Sequence, residues 1–586
     1  MTRSVIDPIT RIEGHLRAEM EVGSDGRVSE AWMCGCCFRG MELVVRNRKP
    51  EDASFIVQRI CGVCPTSHGH SATIAAERSL GITIPNNARI IRNIIEGAET
   101  LHSHILWFYN LAALDYVDPL NGAYNADPAT AHDVAEAYGL ASTDFAALKD
   151  RLVKFAKNGQ LSIFSGNWFK GNVSGSSYHR SVESEFVLPP EADLILTAHY
   201  LEALTFQAKS SEIAGIIGGK MPHPMTIIPG GTDFVPTMEK LDDLKGLVDE
   251  ICAWVDKTIL PDTLAVAKFY GAALTFGDSI DDFGAFGVFE RPFDASTSYV
   301  DRMNNRYFPG GIFHMSTGKV DDVDESLITE YVGHSWYEGE EDLEPFAQGV
   351  RPAFTEYNVE DRYTWNKCPR YDKKPLEVGP LGRVLVAYGR GDADIKGYVD
   401  TVISELNKNL AEGLYDEFKD QIPLSNGKIT VANLNSTLGR VAARNIETVH
   451  TAHLMQQWIT ELCEALASGD STYFVEATTD NGYNGAGLWE APRGALYHAE
   501  KIEGGLIKDY QIIIPTTWNI APKDPEGVHG PMEQALVGVP VADVEKPINA
   551  LRTVHSYDPC TACAVHVVEP KTGKSFETVT SPWGVK

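Results

Sequence analysis

Two short stretches carry thiols in the same pattern, "RICGVCPTSH" at 59–68 and "DPCTACAVH" at 558–566. Each holds a Cys-x-x-Cys followed by a histidine, and nearly five hundred residues separate them. Cys61, Cys64, Cys560 and Cys563 are therefore four candidate soft ligands. Cys-x-x-Cys at a turn or helix start lets two sulfurs converge on one metal, and thiolates select Zn, Cu(I), Ni or iron–sulfur centres. Three readings compete: unrelated buried cysteines, a structural zinc site, or a catalytic metal centre built from both ends of the chain. Zinc modules gather their ligands within a few tens of residues, because the site staples a small fold. This separation does not suit that purpose. Four thiolates also bring four negative charges, which two divalent metals bridged by two of the sulfurs would offset. If the two pairs share one site, the ends of the chain must meet in the core.

The elements that would position such a site are mostly helical. The spacing predicts long helices over 87–117, 191–217, 240–259 and 437–468, punctuated by Pro119, Pro189-Pro190, Gly218-Gly219 and Gly469. "HLRAEMEV" alternates apolar and polar residues before the turn "GSDGR", which predicts an N-terminal hairpin. "GRVLVAYG" and "YQIIIP" read as strands, and the acidic "EGEEDLEP" (338–345) as a solvated loop. The fold class is α+β, predominantly helical, with small sheets. Length alone suggests two to four domains, but no repeat or linker divides the 586 residues, and a shared thiol site argues for one unit. Asp and Glu number 80 against 51 Lys and Arg, a net charge of −29, which argues against nucleic acid or an anionic membrane as partner. The ten cysteines are too sparse for a disulfide scaffold. The N-terminal "MTRSVIDPITRIEGH" has no apolar secretory region, and no apolar run is long enough to span a bilayer.

The two thiol motifs resemble the signatures of the large, catalytic subunit of nickel–iron hydrogenases. The resemblance extends through "DPITRIEGHLR" (7–17), "FRGME" (38–42), "LHSHILWFYNLAALDYVD" (101–118), "GGKMPHP" (218–224), "KCPRYDKKPLEVGPLGRVL" (367–385), "GLWEAPRGAL" (487–496) and "PTTWN" (515–519). These blocks follow the family's order and cover essentially the whole chain. The resemblance implies that family's fold, with a long-helix core, small peripheral sheets and both termini at a buried metal site. It implies the reaction H2 ⇌ 2 H+ + 2 e−, in the direction of H2 uptake.

Residue by residue, the resemblance makes Cys61 and Cys560 terminal nickel ligands, and Cys64 and Cys563 bridges between nickel and an iron carrying CO and two cyanides. Glu13 would relay the proton taken by Cys560, since burial raises a carboxyl pKa toward neutrality. Arg493 would hang over the metals with Asp115 and Asp558 as its carboxylate partners, and Pro492 would shape the same roof. Thr516 would donate to a cyanide, and His68 would hydrogen-bond near a bridging sulfur. Glu42 and His566 would bind a separate Mg (or Fe). Residues 1–566 would form the mature subunit. A maturation endopeptidase would cut after His566 and remove 567–586, with nickel chaperones loading the metal. No further four-Cys set is available for an iron–sulfur cluster, so electrons would leave through an iron–sulfur small subunit to a cytochrome or other acceptor. The pair would be exported to the periplasm or the outer face of the membrane, with a cytoplasmic location as the alternative.

Two features stand apart. The quinone-site subunit of respiratory complex I shares this ancestry but lacks the four cysteines, and a nickel-storage role leaves Glu13 and Arg493 unexplained. "MCGCCFRG" (33–40) departs from the family's usual pattern. Cys34, Cys36 and Cys37 read as small packing residues, with a redox role as the alternative.

Overall fold

Four long helices form the centre of the protein: Asn86–Ile105, Pro190–Gly218, Met238–Phe269 and Thr437–Ala467. They pack against one another, with Thr437–Ala467 touching both Asn86–Ile105 and Met238–Phe269. The computed structural model describes residues 2–161, 186–337, 361–476 and 484–561. The acidic stretch 338–345, Cys563, His566 and the segment 567–586 lie outside the described residues. Thr437–Ala467 is buried on every side from Thr437 to Ala452, which marks a helix inside a large core. The Ser436 side chain caps it, accepting from the Gly439 N–H at 3.1 Å. On Asn86–Ile105, Ile91, Ile94, Ile95, Leu101 and Ile105 are fully buried, each stabilising the fold by roughly 1.5–3 kcal/mol.

Three expectations are corrected. The 87–117 helix keeps its α form only to Ile105, then widens into a π-helical stretch Leu106–Ala112 and tightens into a 3-10 turn Ala113–Asp115. Such interruptions re-aim side chains, here Asp115. The 240–259 helix runs on to Phe269 through Pro261, because Val266 and Ala267 are buried beyond it and their packing outweighs the bond that proline deletes. "GRVLVAYG" is no strand but lies within the helix Pro380–Arg390, started by Pro380 in its first turn after Gly379 at φ 132. A short apolar run buried on all sides fits either element.

The N-terminal hairpin pairs Leu16–Val22 with Val28–Gly35, and Thr2–Ile6 adds a third strand. The C-terminal sheet is antiparallel: Gly485–Ala491, Gly494–Glu503 and Leu506–Ile513, the last holding most of "YQIIIP". It lies on the helix Pro65–Leu80 so closely that a Cβ on Gly487 would stand 1.9 Å from the Ser71 carbonyl oxygen. The two ends of the chain meet. Val28 N–H donates to Val539 at 3.0 Å and Gly538 N–H to Val28 at 2.8 Å. Glu13 forms a parallel bridge with Cys560. No helix among the described residues is long and apolar enough to cross a membrane.

Candidate metal centre

Cys61 follows a 3-10 turn, Gln58–Ile60, in extended backbone, and Cys64 is the residue before Pro65–Leu80, with Pro65 opening the helix. The turn between them aims two N–H groups, of Val63 at 3.3 Å and Cys64 at 3.4 Å, at the Cys61 sulfur. From the other end of the chain Cys560 brings its Sγ to 3.2 Å from that of Cys61. The Cys61, Cys64 and Cys560 sulfurs all lie within 4.8 Å of one another, in a patch with Ala491 and Leu496. The Cys560 thiol pushes Cys61 up to about 12, with burial adding to it, and the same neighbours and burial raise Cys64 well above its ordinary value. Thiols crowded and dried in this way ionise together only around cations.

Arg493 supplies one cation. Its Nη2 donates to Asp558 Oδ1 at 3.0 Å, with both side chains buried. Burial opposes its charge, but Asp558 and the three thiols more than offset this, raising its pKa further. Its Nε and Nη1, and Asp558 Oδ2, are buried without a partner. Such orphaned groups beside a thiol cluster are costly unless a ligand satisfies them. A metal pair held by the cysteines, carrying groups that accept hydrogen bonds, fits the donor set.

Asp115 does not join Arg493 as expected. Arg11 Nη2 and His555 Nδ1 each hold a carboxylate oxygen at 2.5 Å, and Arg552 donates to its backbone carbonyl at 3.0 and 2.7 Å. Burial would favour its neutral form, but Arg11 and His555 keep the carboxyl well below its ordinary range. Asp115 thus clamps the N-terminal loop to the helix Ile548–Ser556 that leads into the second thiol motif. The expected sulfur contact of His68 is likewise replaced. His68 Nδ1 meets His498 Nε2 at 3.1 Å, and His498 Nδ1 meets Tyr510 at 3.0 Å. Burial holds His68 neutral, at about 3.

Glu13 Oε2 lies 3.7 Å from the Cys560 sulfur. Its backbone accepts from Thr561 N–H at 2.5 Å and its own N–H donates to Pro559 at 3.3 Å. Thr516 Oγ1 accepts from the Cys560 N–H at 2.9 Å, which leaves the hydroxyl proton free to donate elsewhere. Glu42 accepts from Lys367 at 3.1 and 3.2 Å and from the Ile512 N–H at 2.9 Å. It shares a cavity of about 120 Å³ with Glu330, Lys367, Cys37 and Cys560. Cys34 and Cys36 lie apart from the thiol cluster, with their sulfurs 3.9 Å from each other.

The sequence reading missed two buried residues. Arg383 donates both to Glu447, at 2.8 and 2.8 Å, and to the Ala491 and Pro492 carbonyls, at 3.0 and 2.8 Å. It therefore supports the roof that carries Arg493. Glu99 accepts from the Thr66 and Ser67 N–H groups, at 2.7 and 3.2 Å, capping the helix that starts beside Cys64. A charged residue inside an apolar block was the available signal for each.

A helix-centred fold whose two ends bring buried thiols and an arginine to one point defines a thiolate-held metal enzyme. The family model described as nickel-dependent hydrogenase matches residues 39–566, and one described as HoxL-like matches 3–34. The hydrogenase-2 large chain of Escherichia coli (strain K12) is 36% identical, with 97% of each chain covered. The uptake hydrogenase large subunit of Rhizobium leguminosarum bv. viciae is also 36% identical, over 97% of this chain and 96% of that protein. Among solved structures, the NiFeSe hydrogenase of Dm. baculatum aligns with a TM-score of 0.73 at 32% identity, covering 96% of this chain and 100% of that one. The chain belongs to the nickel-dependent hydrogenase family as a large, catalytic subunit, an oxidoreductase that acts on H2.

Proposed function

We propose that Cys61, Cys64, Cys560 and Cys563 hold a nickel–iron pair, Cys61 and Cys560 on nickel alone and Cys64 and Cys563 between the metals. The meeting of Glu13 with Cys560 carries this reading, because it puts a carboxylate 3.7 Å from a ligand sulfur across the joined chain ends. When bound, the metals with their CO and two cyanide ligands supply the Lewis acidity and the electron acceptor for heterolytic cleavage of H2. The chain's own residues manage the proton. The Cys560 sulfur accepts it, and Glu13 takes it onward from Oε2. Arg493 keeps its Nε and Nη1 unpartnered beside the thiols and is itself held by Asp558. Thr516 fixes the Cys560 backbone and offers its hydroxyl proton to a cyanide, with Pro492 closing the roof. Asp115 and His68 act at one remove, the first by clamping the joined ends and the second through its histidine pair.

Glu42 and His566 are assigned to a Mg2+ (or Fe) site. The oxygen-rich surroundings of Glu42 and Glu330 suit a hard cation, and Lys367 already bridges these carboxylates, at 3.1 and 3.5 Å. Hydrogenase large chains function with a small subunit. The partner is assigned as an iron–sulfur protein passing electrons to a cytochrome or similar acceptor. The mature subunit is 1–566, and the extension 567–586, which lies past the end of the family match, is removed by an endopeptidase after nickel loading by chaperones. Export with the small subunit to the periplasmic side is the location proposed, and cell fractionation tests it.

The test of the site is an infrared spectrum of the anaerobically purified enzyme before and after H2. Bands of one CO and two cyanides that shift under H2 are expected. Their absence from metal-loaded protein overturns the assignment.

A further inference from the structure

Between two of the central helices a second set of donor atoms converges. Cys252 and Asp256 stand four apart on Met238–Phe269, and His453 and Gln456 three apart on Thr437–Ala467, so each pair shares one helix face. Cys252 Sγ lies 4.0 Å from Asp256 Oδ2 and 3.4 Å from Gln456 Oε1. His453 Nε2 lies 2.9 Å from Asp256 Oδ1. The ligating atoms of Cys252, Asp256 and His453 all fall within 4.8 Å of one another. We propose that Cys252, Asp256, His453 and Gln456 form a zinc site that joins the two longest helices of the core, separate from the nickel–iron centre.

Tetrahedral donors about 2.0–2.3 Å from a shared Zn2+ stand roughly 3.3–3.7 Å apart. The observed spacings bracket that range, so small rotamer shifts bring the four atoms onto one ion. Residue pairs spaced three and four apart on facing helices are how helical bundles build metal sites. The outer contacts are those of a ligand set. His453 Nδ1 meets the Tyr398 hydroxyl at 3.2 Å, which orients the ring and leaves Nε2 facing inward. Gln456 Nε2 donates to Asp249 Oδ1 at 2.8 Å, so its carbonyl oxygen turns toward Cys252. Lys245 neutralises Asp249 from outside.

Charge and access agree. A Cys252 thiolate with Asp256 carries two negative charges, matching one divalent ion. Without an ion, burial and then the charges of Asp256 and Asp249 push the thiol up to about 12. Zinc binding therefore releases one proton from Cys252 to solvent. Cys252 is only 4% exposed, while the side chains of His453 and Asp256 are 38% and 46% exposed. The ion thus has a path from solvent to a dry sulfur. The soft–borderline set S, N, O, O selects zinc over magnesium or calcium.

The test uses the purified holoenzyme, rinsed with a mild chelator, then given Zn2+ alone or Co2+ alone. Elemental analysis is expected to find one zinc per chain that C252S and H453Q both lose. Co2+ is expected to produce a thiolate-to-cobalt charge-transfer band that C252S removes. Tyr398→Phe is expected to weaken zinc about tenfold. H2 oxidation is expected to stay at the parent level in all three variants, which shows that they fold. Equal zinc in parent and variants, or cobalt uptake without a band sensitive to C252S, overturns the proposal and leaves a plain Asp256–His453 hydrogen bond beside a free thiol.

Discussion

Replacing Arg383 by Met tests whether a buried ion network positions the arginine roof. Arg383 faces two carboxylates, Glu447 at 2.8 Å through both oxygens and Glu490 at 2.5 Å through one. Burial works against the charge of Glu447, yet Arg383 and then His104 hold it down from 4.5 to about 2. Burial dominates at Glu490 and pushes it up to about 7, although Arg383 and the Phe286 N–H both act to lower it. The displacement at Glu447 corresponds to about 3 kcal/mol, and two lost carbonyl bonds add about 1 kcal/mol each. The expected cost is roughly 5 kcal/mol, at the top of the range for breaking a buried pair. Glu447 has one escape, taking up a proton. In the variant its folded pKa is raised above its unfolded value, so the relief is full at low pH and is lost as pH rises. The melting deficit, read by calorimetry at one scan rate, is therefore expected to be several degrees at pH 8 and clearly smaller at pH 5.5. With the Ala491 and Pro492 carbonyls released, kcat for H2 oxidation is expected to fall at least about tenfold through misplacement of Arg493. A deficit that does not change with pH, or an unaltered kcat, refutes the argument.

Glu13→Gln is expected to lower H2 turnover by roughly 100-fold or more while metal content and the infrared bands persist, since only a proton acceptor is lost; turnover near the parent level counts against the relay. Gly487→Ala places a Cβ 1.9 Å from the Ser71 carbonyl oxygen, and about 3 kcal/mol or more of lost stability is expected in thermal melts. His199 tests a pH dependence far from the metals. Burial would lower its pKa, but Asp262 at 2.7 Å and the Ala141 carbonyl at 2.9 Å raise it to about 9. A raised histidine stabilises fully below about pH 6.5 and loses that contribution as pH rises through about 9, worth roughly 3 kcal/mol. His199→Leu is expected to flatten the fall in melting temperature across that window, and an unchanged slope counts against the pair.

The meeting of Cys61, Cys64 and Cys560 was legible because soft donors in repeated Cys-x-x-Cys pairs have few other uses in so large a chain. The long helices at 191–217 and 437–468 were legible because apolar spacing persisted over many turns between clear stops. The failures share one cause. "GRVLVAYG" is apolar in a way that both a strand and a core helix satisfy, and only the neighbours that bury Arg383 decide between them. The π-helical stretch after Ile105 has no local signature, and just beyond it Asp115 meets Arg11 and His555, which come from distant segments. The pairing of Asp115 with Arg493 failed for the same reason. A carboxylate inside an apolar helix announces that it is buried and paired, but the identity of its partner depends on which distant segments arrive beside it.

That dependence also explains why the site needs both chain ends. Cys61 and Cys64 are set by a local turn and a helix start. Cys560 is set by no local element of that kind. It is placed by the bridge to Glu13, by the hydroxyl of Thr516 and by the Asp115 clamp on the preceding helix. Cys560 therefore reaches the first thiol pair only once the N-terminal loop, the helix Ile548–Ser556 and the short helix Pro515–Asn519 are docked together. Weakening the clamp should loosen Cys560 before it unfolds the core. Asp115→Asn keeps the shape but gives up the charge that holds Arg11 and His555. It is expected to lower nickel retention in the purified enzyme severalfold, with a melting temperature close to the parent's. Loss of the whole fold, with no separate loss of nickel, would show that the joining of the ends and the helical core are one cooperative unit.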